Sequence, residues 1–406
     1  MLLKKIKKEI AATPPPKGFS LSNEEWPSAI SHIYNFKQTP QTYKGLFSRT
    51  IEDKEVSQWL ETIGEHFKEA YKQAPHKDNK TFKFKFIDLF AGIGGFRLSL
   101  NKHGGKCVFS SEWDKAAQET YFKNYGEIPF GDLTQLTNSE ISDYRLKKFI
   151  PDHDILAAGF PCQPFSKAGI SARTALNQAH GFNCESQGTL FYDVARIIHL
   201  KKPKAVFLEN VRNLKSYDGG QTFEIIKDTI EDMGYHFTST VINSNTKVPQ
   251  NRQRCYMIAV KKEFSPFIFD LERFKGKPIP LKSILNTNPE EINEYQISQA
   301  LWNGHIGRTK RNIERGTGFK ALEVDINKPA NTLVARYGKD GKECLIPMES
   351  GPPRKLTKRE AAKLQGYPNN FILPDSKTPT YKQMGNSVSV PVITEISRQL
   401  IRHLEQ

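Results

Sequence analysis

Cysteine is scarce, with five residues in 406, at positions 107, 162, 184, 255 and 344. No two of them share the short spacing of a zinc site, and they outline no disulfide framework. Long apolar runs are missing too, and nothing approaches the length of a membrane span. The opening MLLKKIKKEIAATPPP is basic and has no apolar stretch of the signal-peptide kind. These absences lead to the expectation of a reduced, cytoplasmic protein with no metal centre and no membrane partner. Acidic residues also fall short. Asp and Glu number 44 against 59 Lys and Arg, a formal net charge of +15. That excess favours a polyanionic partner.

The chain is long for one core and is expected to form two or three domains. Residues 1–80 stand apart, with the Pro14-Pro15-Pro16 break and one amphipathic helical pattern near 53–73 carried by Val56, Leu60, Ile63, Phe67 and Tyr71. From Phe82 short apolar runs alternate with helical ones. FKFIDLF, KCVFSSE, DILAAGF, KAVFLEN and CYMIAV read as buried strands. LFYDVARIIHL and TFEIIKDTIEDMGY read as helices, the second with Phe223, Ile226, Ile230 and Met233 on one face. Such alternation implies an α/β domain with a largely parallel sheet, whose ligands bind beyond the carboxyl ends of the strands.

Chemistry-bearing residues collect at those predicted strand ends. After the first strand comes Phe90-Ala91-Gly92-Ile93-Gly94-Gly95, a turn whose glycines let backbone approach a ligand. It lacks the third glycine of a dinucleotide fingerprint, since Arg97 stands there, which weakens an oxidoreductase reading. A nucleoside cofactor with a carboxylate, such as S-adenosylmethionine, needs less. Glu112 is placed to accept from ribose hydroxyls, Trp113 offers a stacking face for adenine, and Asp132 can accept from its amino group. Further strands end at Pro161-Cys162 and at Glu209-Asn210, a thiol and a carboxylate of the nucleophile and general-acid type. Alone, Cys162 would read as a packing residue. Its place among functional groups on one rim favours a nucleophile. Arg252 and Arg254, two apart in QNRQR, would point the same way in an extended segment, one to a pyrimidine carbonyl and one to a phosphate.

Nine motifs in order carry a resemblance: DLFAGIGG (88–95), EWD (112–114), GDL (131–133), GFPCQPFS (159–166), QGTLF (187–191), FLENV (207–211), QNRQR (250–254), RKLTKREAAKLQGYP (354–368) and QMGNSVSVP (383–391). Over most of residues 82–406 the sequence resembles the DNA (cytosine-5)-methyltransferases, of the Dcm-like and restriction-modification type. The resemblance implies an α/β, Rossmann-like methyltransferase core dependent on S-adenosylmethionine (81–265), a smaller target-recognition domain (266–350), a hinge (351–380) and a C-terminal segment returning to the core (381–406), with 1–80 an accessory extension. It further implies an adenosine pocket of Phe90, Gly92, Gly94, Gly95, Glu112, Trp113, Asp132, Leu133 and Pro161, completed by Asn386 and Ser387. Cys162 would be the nucleophile, Glu209 would contact N3 and the amino group of cytosine, and Arg254 would bind the base carbonyl and support Glu209. Gln163 and Ser166 would face DNA.

Within 266–350, Arg308, Lys310, Arg311, Arg315 and Lys320 lie among Trp302, His305, Phe319 and Tyr337 and several glycines, a composition suited to groove contact. Arg336 and Tyr337 belong to ARYGKDG (335–341), which with RGTGF (315–319) resembles Dcm-like members acting on CCGG or CCNGG sites. The implied partner is double-stranded DNA, bound by a monomer, with a cognate restriction endonuclease reading the same site. An RNA cytosine-5 methyltransferase is the nearest rival; the sequence lacks the Cys-Phe-Thr motif of the tRNA-acting branch. A regulator without catalysis is the other, and the intact Cys162 and Glu209 argue against it.

Overall fold

The computed structural model describes residues 81–161, 190–316, 318, 320–406 and 70–78, and isolated positions before residue 70. Of the helical pattern near 53–73, Phe67 and Tyr71 are described and helical, with Phe67 buried; Val56, Leu60 and Ile63 lie outside the described residues. The chain divides into two compact units. The first comprises Met1–Val241, Arg254–Phe269 and Ser397–Gln406, and the second Ile242–Gln253 and Asp270–Ile396.

The first unit is built on six strands: β1 Phe84–Leu89, β2 Gly105–Ser111, β3 Ile155–Ala158, β4 Ala205–Val211, β5 Tyr235–Asn243 and β6 Gln253–Lys261. They lie in the order β2-β1-β3-β4-β6-β5. Pairings β1–β2, β1–β3 and β3–β4 are parallel. The order reverses between β1 and β3, so the turn after β1 and the loop after β3 leave the sheet at one crevice. Strand β6 runs antiparallel to β4, with Val211 opposite Arg254 and Glu209 opposite Tyr256. The sheet is largely parallel, as expected, and this one reversed strand carries the start of β6 to the rim where β4 ends. Strand β5 has no counterpart in the sequence reading. It occupies the sheet edge and is mostly half-buried, so its YHFTSTVIN lacks the apolar run that marks the central strands.

Helices cover the sheet: α1 Gly95–Asn101, α2 Lys115–Tyr125, α3 Asp143–Phe149, α4 Leu190–Lys201 and α5 Gln221–Asp232. Helix α4 buries Phe191, Val194, Ala195, Ile197 and Ile198. Helix α5 buries Ile226 and Ile230, with Phe223 and Met233 packed beside the same core, the face expected from its period. In the second unit α6 spans Gln299–Glu314; Ser298 caps it by accepting from the Leu301 N–H. Helices α7 Lys358–Leu364, α8 Lys377–Asn386 and α9 Val390–Leu404 follow, the last crossing from the second unit back to the first. No described helix is long and apolar enough to cross a membrane.

Beneath the turn after β1 lies a buried charge cluster. Arg97, on α1, is fully buried. Its guanidinium donates to Glu127 (2.9 Å), to both oxygens of Asp78 (3.1 and 3.2 Å) and to the Tyr121 hydroxyl (2.9 Å), and lies 4.6 Å from the Tyr125 ring centre. Asn101 Nδ2 donates to Asp78 and Ser110 Oγ to Glu127. Arg97 thus stands under the turn as its support, and Asp78 reaches it from the segment preceding β1. Replacing Arg97 by Met strands two buried carboxylates and should cost about 3–5 kcal/mol, whereas Asp78→Asn leaves a neutral Arg97–Glu127 pair and should cost far less. Urea unfolding of the two variants measures this order.

Candidate active site

The turn after β1 is built by its own hydrogen bonds. Ala91 N–H donates to Ser111 O (2.8 Å) and Gly94 N–H to Ala91 O (2.8 Å). Phe90 takes a positive φ of 55°, uncommon for a residue with a side chain, and Gly92 and Gly94 follow at 56° and 87°. Gly94 packs directly against Tyr125. A Cβ there would lie 2.4 Å from the Tyr125 ring, whose hydroxyl donates to Gly94 O (2.8 Å). Gly92 is the opposite case, since a Cβ on it would meet nothing within 4 Å. Its backbone faces open space.

Glu112 joins the end of β2 to this turn. Its Oε2 accepts from Gly92 N–H (2.8 Å) and its Oε1 from Asp114 N–H (2.7 Å). Burial raises its pKa, and those two N–H groups oppose the rise. Glu112 N–H donates to Phe130 O (2.7 Å), which draws the segment ending at Asp132 alongside. Asp132 Oδ1 accepts from the Thr134 N–H and hydroxyl; Leu133 is buried. Trp113 is 78% exposed, with its indole available as a flat face. Gly92 and Glu112 are thus joined directly at the start of α1, where Gly95 begins the helix, and Trp113 and Asp132 follow on the segments that Glu112 draws alongside. Open backbone, a fixed carboxylate and an exposed indole fit a nucleoside.

Asp88, at the root of this turn, is fully buried, and neither carboxyl oxygen has a hydrogen-bond partner of good geometry. Burial pushes its pKa up to about 8, against the pull of the Arg97 charge and backbone N–H.

The second cluster sits at the end of β4. Arg254 Nε lies 3.3 Å from Glu209 Oε1, both side chains mostly buried. Gly159 stands beside them, and a Cβ on it would lie 3.9 Å from Glu209 Oε2. Asn210, to which sequence reasoning assigned no role, donates from Nδ2 to Phe160 O (3.0 Å) and accepts from Val211 N–H (2.8 Å). It ties the end of β4 to the loop leaving β3, two residues before Cys162. Its position inside ENV was the available signal. Pro161 is exposed. Cys162, Gln163 and Ser166 lie outside the described residues.

Two expectations are corrected. Arg252 does not present a cation for phosphate. It is buried and donates to Leu333 O (3.1 Å), Gly385 O (3.1 Å) and Ser387 O (2.7 Å), so it organises the second unit. Tyr337 is not a DNA-facing residue either. It is fully buried, donates to Cys344 O (2.6 Å), accepts from Leu356 N–H (2.8 Å) and packs edge-on against Tyr381. Also in the second unit, Asn386 is exposed at the end of α8, and Ser387 is buried with its Oγ 2.6 Å from the Tyr367 hydroxyl. Arg308, Lys310, Arg311 and Arg315 are exposed on and just after α6, as is Arg336. His305 is buried, with Nε2 at 3.0 Å from Asp340 O. Phe319 lies outside the described residues.

A Rossmann-like sheet with a nucleoside-shaped turn at its switch point and a carboxylate–arginine pair two strands away defines a group-transfer enzyme of the methyltransferase class. The model of the family C-5 cytosine-specific DNA methylase matches residues 84–402, and the chain belongs to that family. It is 45% identical over 340 residues to the Type II methyltransferase M.SsoII of Shigella sonnei, covering 82% of this chain and 83% of that one. It is 37% identical to the DNA-cytosine methyltransferase of Escherichia coli K12, covering 82% and 80%. Among solved structures, that of S. pombe Dnmt2 methyltransferase superposes with a TM-score of 0.61 at 18% identity, covering 79% of this chain and 98% of that one, a likeness of fold. The protein is a cytosine-5 DNA methyltransferase of the restriction-modification type.

Two predictions follow from this geometry. Gly92→Ala should fold with a strain of about 1 kcal/mol and lose cofactor affinity, because its Cβ projects into the open region. Gly94→Ala should instead lower the melting temperature sharply. Calorimetric titration beside thermal unfolding separates the two. Asp88 generates a pH dependence. The unfolded carboxyl ionises near 3.8 and the folded one near 8, so its contribution to stability is intact below about pH 4 and is lost as pH rises to about 8. Asp88→Asn should flatten that decline in urea midpoints measured across the range.

Proposed function

We propose that the chain methylates carbon 5 of a cytosine flipped out of a specific DNA duplex, through a covalent bond from Cys162 to carbon 6, and that it protects host DNA from a restriction endonuclease reading the same site. The observation that carries this reading is the Glu209–Arg254 pair at the end of β4, beside the loop that Asn210 anchors. S-adenosylmethionine is the cofactor proposed for the region of Phe90, Gly92, Gly95, Glu112, Trp113 and Asp132, and when bound it supplies an electrophilic methyl group.

Cytosine carbon 5 is a weak nucleophile until the ring is activated. The Cys162 thiolate adds to carbon 6, and the electron pair released from the ring is taken up at N3, where Glu209 delivers its proton. The resulting enamine is nucleophilic at carbon 5. Once carbon 5 carries the methyl group, a base takes the remaining carbon-5 proton, the thiolate leaves, and the N3 proton returns to Glu209, which restores the aromatic ring. Arg254 holds the base carbonyl and orients Glu209. A thiol suits both addition and departure, because its thiolate is accessible near neutral pH. The base must leave the duplex to be reached, at a cost of about a few kcal/mol in unstacking. Arg308, Lys310, Arg311, Arg315 and Arg336 are the proposed DNA contacts of the recognition unit, with a CCGG- or CCNGG-like target.

Duplex DNA carrying 5-fluorocytosine at the target should trap a stable adduct in the presence of cofactor, since fluorine cannot leave as the proton does. An adduct that persists in Cys162→Ser would overturn the assignment. Glu209→Gln cannot deliver the N3 proton and should lower kcat by about 10²–10⁴. Bisulfite sequencing of DNA from cells expressing the protein reads the target site.

A further inference from the structure

The segment that precedes β1 is seated on the two helices that hold the turn after β1. Residues 70–78 belong to the first unit and meet the end of α2 at three places. His76 N–H donates to Asn124 O (3.0 Å). The His76 ring lies 6.2 Å from that of Tyr125, centre to centre. The Tyr71 backbone runs against Gly126, where a Cβ would lie 2.5 Å from Tyr71 Cα. Gly126 closes α2 with a φ of 70°, and only the absence of a side chain permits that approach. A fourth contact reaches α1. Asp78 accepts from Arg97 Nη2 through both oxygens (3.1 and 3.2 Å) and from Asn101 Nδ2 (3.0 Å).

Both helices pass these contacts to Gly94. On α2, the Tyr125 hydroxyl donates to Gly94 O (2.8 Å), and the Tyr125 ring fills the place a Gly94 Cβ would take. On α1, the Arg97 guanidinium lies 4.6 Å from the centre of that same ring. Two routes therefore join the segment to the turn, one through Asn124, Gly126 and Tyr125 and one through Asp78 and Arg97. Phe90, Gly92 and Gly94 all take positive φ, and Phe90 does so with a side chain. Such backbone keeps its shape only when its surroundings over-determine it.

Charge balance does not account for Asp78. Arg97 already has a carboxylate in Glu127, at 2.9 Å. Asp78 adds direction instead. Glu127 and Tyr121 take Arg97 Nη1, and Asp78 takes Nη2 from the other side, which fixes the plane of the guanidinium under the turn.

We propose that residues 70–78 are a positioning arm for cofactor binding, anchored by Asp78, and that docking of the arm and binding of the cofactor strengthen each other. The inference rests on the reading of this turn as the S-adenosylmethionine site. A ligand that fixes the turn fixes Gly94, Tyr125 and Arg97, and through them the arm. Linkage is reciprocal, so an arm that leaves its seat loosens the turn by the same free energy. A partner that engages the chain before residue 70 and lifts the arm lowers cofactor affinity by that factor.

The test uses the full chain and two variants, Asp78→Asn, which keeps the shape of the side chain, and Asp78→Ala, each checked for folding by thermal melting. Calorimetry should show S-adenosylmethionine binding about tenfold more weakly to the variants, within the usual range of such couplings. The KM for cofactor should rise by a similar factor, while kcat at saturating cofactor and the KM for DNA stay at the parent's values. Hydrogen exchange needs no variant. In the parent, S-adenosylmethionine should slow exchange at the amides of 70–78 by about tenfold, and in Asp78→Asn it should not. A parent arm that exchanges at one rate with and without cofactor overturns the proposal. So does a folded variant that binds cofactor as the parent does, or one that loses kcat at an unchanged cofactor KM. Failure of the cofactor reading would appear separately, as no binding of S-adenosylmethionine to the parent.

Discussion

The antiparallel pairing of β4 with β6 is the constraint on which the chemistry depends. In a purely parallel sheet, a residue at the start of a strand emerges at the far end from the reacting rim. Reversing β6 brings Arg254, its second residue, opposite Val211 and within 3.3 Å of Glu209. Ladder hydrogen bonds hold both backbones, so the carboxylate and the guanidinium meet without ordering two loops. The pair is mostly buried, where its mutual attraction is stronger than in water and where losing one partner would leave the other uncompensated. The Glu209 carboxyl gains orientation from this arrangement. Asn210 extends the same logic by one residue: it uses its amide to fix the Phe160 carbonyl, two residues before Cys162 in the sequence.

The cofactor half is rigid for a different reason. The turn after β1 places Phe90, Gly92 and Gly94 at positive φ, backbone that does not hold itself. Its support comes from below, where Arg97 is clasped by Asp78 and Glu127 and flanked by Tyr121 and Tyr125, and Tyr125 also bonds Gly94 O. Both terminal nitrogens of the buried Arg97 are directed at partners, and Ser110, Asn101 and Tyr121 supply further hydroxyls and an amide to the cluster. Asp78 precedes the family-matched region yet completes this support, so the segment before β1 contributes to the cofactor turn through Arg97.

Much of this was legible in the sequence. The strands β1, β2, β3, β4 and β6 are continuous apolar runs, and their ends carry the acids, the indole and the thiol, so rim and chemistry could be read together. Three things could not be. Strand β5 lies at an edge, alternates weakly and has no run to find. Arg252 was read with Arg254 as two side chains on one face of an extended segment. The chain instead makes a tight turn there, Arg252 N–H bonding Gln250 O, and β6 begins only at Gln253, so the two arginines diverge. Tyr337 sits in a cationic, glycine-rich stretch that looks like a groove contact. Its hydroxyl is spent on a buried carbonyl and a buried N–H that would otherwise go unsatisfied. Composition can mark a surface, but it cannot say which polar side chain is turned inward to satisfy the backbone.

The distinction between contact and support is therefore one of spare hydrogen-bonding capacity. Arg252 has three carbonyl partners and is buried, while Arg308, Lys310 and Arg311 are exposed on α6. Arg97 directs both terminal nitrogens at partners inside its cluster, while Trp113 is 78% exposed. The same reasoning sets Glu112 apart from Glu127. Glu127 is closed in by Arg97 and Ser110, whereas Glu112 is held by two backbone N–H groups that each use one lone pair of its two oxygens. Hydrogen-bonding capacity remains on Glu112, beside the backbone of Gly92.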